Sequence, residues 1–178
     1  MERLSVVEYL TMRYLNEREA KRLLPYDEDL VERVQFLLQR QKTRQQEEEN
    51  KNRIKEHIYK IEIDRLEWML TEYLLLRLEK IRNNFYIKNE QLLSEKEKEY
   101  YTAYILINKE EKIYTPLKDI PERHKEKNST EVHGIYVLDT IQDIAIDGEM
   151  LSFSPGEFLI GDIAQAEELV NDLSVLLV

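Results

Sequence analysis

Asp139, Asp143 and Asp147 recur at intervals of four residues through HGIYVLDTIQDIAIDGE. Three carboxylates in one short stretch invite a calcium site, but a calcium loop places its oxygen ligands at alternate residues. These three read instead as solvated turn acids. Ser152 and Ser154 have no GxSxG setting to make either a nucleophile. The histidines His57, His124 and His133 are scattered, with no HxxxH or HExxH pair to converge on a metal. The four glycines, Gly134, Gly148, Gly156 and Gly161, lack the spacing that cradles phosphate. Cysteine is absent, which removes disulfides, thiol nucleophiles and thiolate metal sites. The expectation is a chain that is not an enzyme, with no catalytic residues, no cofactor and no metal.

The unusual chemistry lies in IEIDRLEWMLTEYLLLRLEKIR, residues 61–82. At about 100° per residue, Ile63, Leu66, Leu70, Tyr73, Leu74, Leu78 and Ile81 form one broad apolar face. Arg77 falls near its middle. Trp68 and Leu75 fall on the far side, among Asp64, Glu72, Glu79 and Arg82. A buried arginine needs an acid or several carbonyls, because an unpaired buried charge is costly. A tryptophan ring favours cover. A helix contacted on several sides satisfies both, which favours a subunit over a free monomer. The plainer reading is an ordinary helix with Arg77 snorkelling to its rim. Eleven tyrosines in 178 residues fit either edge-of-core packing or a protein–protein surface.

The elements that position these residues are helical through residues 1–112, which hold no glycine and only Pro25. Four segments separate. The first runs from about Ser5 to Leu24. The second starts near Asp27 with an acidic turn and carries Leu30, Val34, Leu37 and Leu38 at helical spacing. Its polar continuation, QKTRQQEEENKN, reads as a solvated helix or a polar connection. The third runs from about Arg53 to Phe85. The fourth begins at Ser94, where Ser94 and Glu97 have capping-box spacing. The apolar spacing is not a clean heptad, so a long coiled coil is second choice.

TPLKDIPERHKEKNST then reads as a linker. Beyond it the period changes to short strands, HGIYVLDT, QDIAIDG and EFLIGD, with a turn at Asp147-Gly148 and another at Ser154-Pro155-Gly156. Asp162 is placed to cap a short helix, AQAEELVND, and SVLLV closes as a strand. The expected architecture is mainly α: a helical bundle domain of about four helices over 1–114, a linker over 115–130, and a small β-rich domain over 131–178. So small a domain has a marginal core and should dock on its own helices or on a partner.

Charge divides the chain the same way. Residues 129–178 contain ten acids and no Lys or Arg, while the rest is balanced, 26 bases against 26 acids. The acidic part is unsuited to gripping nucleic-acid phosphates. No apolar run approaches the roughly 20 residues that span a bilayer, and the N-terminus does not read as a signal peptide.

DRLEWMLTEYLLLRLEKI resembles the signature helix of the GINS family, of the Sld-five type. Arg65, Leu70, Tyr73, Leu74, Arg77, Leu78, Lys80 and Ile81 match the family pattern, and Trp68 stands where another aromatic is usual. YLNEREAKRLLPYDEDLVERV is similar to the family's first-helix segment through Asn16, Glu17, Ala20, Leu23 and Leu24. The ending GEFLIGDIAQAEELVNDLSVLLV resembles its small C-terminal β domain. Leu75 replaces a usual basic residue, Arg82 a usual acid, and Lys21 a common proline. The resemblance implies a non-catalytic structural subunit of a heterotetramer needed to start DNA replication and move the fork. Its partners would be three sister subunits, then the MCM ring and the further cofactor of the CMG helicase. DNA would be touched only indirectly, no membrane is implied, and the compartment would be the nucleus. Arg65, Trp68, Leu70, Tyr73, Leu74, Arg77, Leu78, Lys80 and Ile81 would be interface or buried residues, with Arg77 paired in the assembled complex. The other readings are a free-standing helical adaptor or coiled-coil scaffold, and an enzyme built from ordinary acids.

Overall fold

A computed structural model describes residues 5–48, 51–83, 90–110, 132–146, 149–162 and 166–178. The expected linker 115–130, the boundary at 114, His124, Phe85, Tyr86 and the Asp147-Gly148 turn lie outside them. The chain is mainly helical, with four helices ahead of a small antiparallel β-rich part.

Helix α1 spans Val6–Glu19. A capping box starts it: Ser5 N donates to Glu8 Oε2 at 2.6 Å, and Glu8 N to Ser5 Oγ at 3.3 Å. The expectation that this helix reaches Leu24 is wrong. Ala20 is already extended (φ −63°, ψ 132°). The terminator is therefore not Pro25. The stretch from Ala20 to Tyr26 leaves helical form because its side chains serve different cores, as described below.

Helix α2 spans Glu28–Glu48. Asp27 Oδ1 accepts the Leu30 amide at 3.0 Å, so the acidic start supplies a cap. The polar tract continues the helix to Glu48. Helix α3 spans Arg53–Asn83, capped by Asn52 Oδ1, which accepts the amides of Ile54 and Lys55 at 3.2 and 3.1 Å. Helices α1, α2 and α3 close one core around Leu10, Val34, Leu38, Leu66, Leu70 and Tyr73. After a 3₁₀ turn at Glu90–Leu92, helix α4 spans Glu95–Glu110. Its expected capping box is present, with Ser94 N to Glu97 Oε2 at 2.8 Å and Glu97 N to Ser94 Oγ at 3.3 Å. Leu23, Ile81 and Leu93 form a smaller core beside it.

The β-rich part comprises β1 (Val132–Val137), β2 (Ile141–Ile146), β3 (Glu149–Phe153), β4 (Phe158–Asp162), α5 (Glu167–Asn171) and β5 (Val175–Leu177). Strands order β4-β1-β5 in one antiparallel sheet, and β2-β3 form a separate hairpin. Strand β3 is not anticipated by the sequence, whose turn formers at 154–156 draw attention away from EMLSF. Gly156 takes φ 93° in that turn, where a side chain would be strained. Asp162 does not cap a helix: it lies in β4, and α5 starts from Ala166 without a side-chain cap.

The sheet's inner residues, Ile135, Val137, Val175 and Leu177, pack with Ile141, Ala166 and Val170, and with Ala20 and Leu24 from the helical part. The small domain thus completes its marginal core on its own chain.

Candidate functional site

Arg77 is fully buried, and all five of its N–H donors have an acceptor. Nε and Nη2 form a two-pronged pair with Glu97, at 2.8 Å to Oε1 and 3.2 Å to Oε2. Nη1 donates to Glu17 Oε2 at 2.9 Å and to the Leu24 carbonyl at 2.7 Å. Nη2 also donates to the Leu92 carbonyl at 2.9 Å. Tyr26 and Tyr73 bring their rings within 5.3 and 5.8 Å of the guanidinium carbon.

Lys80 lies one turn further along α3. Its ammonium donates to Glu17 Oε1 at 2.8 Å, to the Arg22 carbonyl at 3.0 Å and to the Glu17 carbonyl. These two cations and the buried Glu17 and Glu97 balance in charge. Four segments meet α3 here: the end of α1, the 20–26 connection, the 3₁₀ turn and the start of α4. Lys80 binds carbonyls where α1 gives out, which explains why the chain ends its helix there without loss of hydrogen bonds.

Burial opposes the Arg77 charge, but the Glu97 hydrogen bonds, Tyr73 and Glu17 outweigh it and raise its pKa. Burial pushes the Tyr73 phenol well above its ordinary value, with Arg77 opposing. Burial, followed by the charge of Glu97, raises Tyr26.

One residue before Glu17, buried Asn16 reaches the β-rich part. Its Nδ2 donates to the Val175 carbonyl at 3.2 Å, and its Oδ1 accepts the Leu177 amide at 2.9 Å. A carbonyl and the amide two residues on are the groups a neighbouring strand would engage. The Asn16 amide therefore stands in for a strand along β5 and ties α1 to the sheet. Arg22 adds a looser contact to Glu167 at 3.5 Å.

The sequence-selected residues divide between two sides of α3. Leu70, Tyr73, Arg77 and Ile81 are buried, and Leu74, Leu78 and Lys80 are half-buried against their own chain. Arg77 has the acids and carbonyls that a buried guanidinium was expected to need, Glu17, Glu97 and two backbone oxygens, and all of them come from its own chain. Arg65 and Trp68 face outward. This chain does not itself supply the cover expected for the Trp68 ring, which is 56% exposed and touches Tyr14 edge-on at 6.3 Å. The sequence alone does not pair Glu17 or Glu97 with Arg77. The signal for them is that each sits at the start or end of a helix next to a motif that must be buried.

The outward side of α3 carries Ile54, Ile58, Ile61, Trp68 and Leu75, all between 54 and 74% exposed. With Arg65 and Glu72 they alternate at four and three residues. That is the spacing of a coiled-coil seam, with charged residues at two of its seven positions, over about 30 Å at 1.5 Å per residue. The sequence did not disclose it as a heptad, because the core-facing leucines fill the intervening positions.

Among the described residues, no group of three or more His, Asp or Glu is placed to hold a metal ion. Among the same residues, no helix is long and apolar enough to cross a membrane. No protein-family model matches the chain, and no curated protein matches it as a relative.

Proposed function

We propose that this chain is a non-catalytic structural subunit of a GINS-type heterotetramer, serving the CMG replicative helicase at initiation and at the moving fork in the nucleus. The observation that carries the reading is the exposed seam of α3. Large apolar side chains at coiled-coil spacing over about 30 Å are out of place on a free monomer and suit an apolar helix from another chain.

The buried junction supports the same reading from the other side. Asn16, Glu17, Arg77 and Lys80 are among the residues that carry the resemblance: Glu17 joins Arg77 and Lys80 in one buried network, and the adjacent Asn16 bonds the β5 backbone. They hold α3 and the β-rich part in a fixed relation. The outward residues are then free to meet sister subunits. The MCM ring and the other CMG cofactor would be engaged by the assembled complex, and the subunit itself would hydrolyse nothing.

The test is purification of the tagged chain from its source cell with quantitative mass spectrometry. Three sister chains in equal amounts, with MCM subunits at low salt, are expected. A homo-oligomer would instead favour the free-standing scaffold, in which the seam closes on a second copy.

A further inference from the structure

The sheet β4-β1-β5 has a second face, turned away from the Ile135–Val137–Leu177 core. Side chains alternate along each strand, and the outward set is apolar apart from Asp162, which lies opposite Val132 at the end of β4. Val132, Phe158, Ile160 and Val178 are 56–76% exposed, and Tyr136 is 39% exposed. Tyr136 lies opposite Phe158, and Gly134 opposite Ile160. The Phe158 ring lies across Gly134: a Cβ there would come within 2.6 Å of its Cζ and 2.9 Å of the Val178 carbonyl. The missing side chain lets the aromatic lie down and flattens the face. Asn16 occupies the β5 edge, while β4 forms the sheet's other edge.

A flat apolar face on a folded chain marks a contact surface. Its surroundings select the occupant. Residues 129–178 supply ten acids and no Lys or Arg, with exposed Glu157 and Asp139 at the ends of the strands. Nucleic acid and anionic lipid would be repelled. A second copy would set acid against acid. An apolar protein surface bordered by Lys and Arg would be matched in both respects.

The geometry points to this outer face of the β4-β1-β5 sheet as a docking surface for another protein, through an apolar segment bracketed by lysine and arginine. The inference does not depend on what closes the α3 seam, which lies on a different element.

The test is photo-crosslinking of the full-length chain with p-benzoyl-phenylalanine replacing Ile160, in extract of the source cell. Gln142, exposed on the separate hairpin, serves as the control position. Circular dichroism and thermal melting establish that both variants fold like the parent chain. The crosslinked peptide is sequenced by mass spectrometry. The expected result is a peptide from a different protein, with apolar residues bracketed by Lys or Arg. Its yield should be at least tenfold above the control and fall as salt rises. A crosslink to this chain itself, to a second copy, to nucleic acid or to lipid would overturn the proposal. So would a peptide without that composition, a yield that does not fall with salt, or a yield no higher than at Gln142.

Discussion

Arg77 grips Glu97 with two nitrogens, at 2.8 and 3.2 Å, and both side chains are buried. The same guanidinium binds Glu17 at 2.9 Å. Replacing it with leucine leaves two buried carboxylates, with only Lys80 nearby to balance them. Breaking a buried pair in this way costs about 3–5 kcal/mol. Arg77→Leu is expected to lower the urea unfolding midpoint by that equivalent. Arg77→Lys should also destabilise, because an ammonium cannot reproduce the planar fork. Equal midpoints for parent and Arg77→Leu would show that the network does not form.

Asn16→Ala removes two hydrogen bonds at the edge of β5 and leaves a buried amide and a buried carbonyl without partners. The expected cost is about 1–3 kcal/mol. Hydrogen exchange should locate it. The Leu177 amide should exchange faster, while amides in the middle of α2 and α3 keep their protection. Uniform loss of protection would mean that Asn16 holds the whole fold rather than the junction.

Alkaline stability follows from Tyr26 and Tyr73, whose pKa values are raised from 10.0 by burial. In the unfolded chain these phenols lose protons near pH 10, while in the folded chain they keep them. Their contribution is therefore complete below about pH 10 and is lost as pH rises beyond it. Absorbance titration near 295 nm should show Tyr73 ionising only as the chain unfolds, with Tyr26 delayed to a lesser degree. Tyr73→Phe should remove the late component.

The core-facing side of α3 thus serves folding, and only its outward side is left for assembly. The apolar face of α3 was legible in the sequence because Ile63, Leu66, Leu70, Tyr73 and Ile81 keep helical spacing, and all five are buried. The Ser94–Glu97 capping box was legible for a similar reason, since its residues are close in sequence. Arg77's partners were not. Glu17 is 60 residues away and Glu97 is 20, and periodicity says nothing about which distant acid arrives. The early end of α1 was hidden because Ala20–Leu24 has helix-forming side chains. Tertiary demand overrides them: Leu23 enters one core, Leu24 enters another, and the Leu24 carbonyl takes Arg77. The seam was hidden because α3 carries apolar residues on two sides, so neither side stands out alone.

Trp68 is the chain's single tryptophan and lies in the seam. Its fluorescence therefore reports that surface alone. The isolated chain should emit at the long wavelength of a partly hydrated indole and be quenched readily by iodide. Assembly should shift the emission to the blue and protect it. An unchanged spectrum in the assembled complex would place the contact elsewhere.

The most direct measurement compares the tagged parent chain with Trp68→Glu/Leu75→Glu by purification and quantitative mass spectrometry, with melting temperatures taken alongside. Both positions are more than half exposed, so the double variant should melt close to the parent. The parent should bring three sister subunits in equal amounts, and the variant should lose them. Recovery of the parent chain alone or as a homo-oligomer, or equal recovery of the sister chains with the variant, would contradict the assignment of this chain as a subunit assembled through α3.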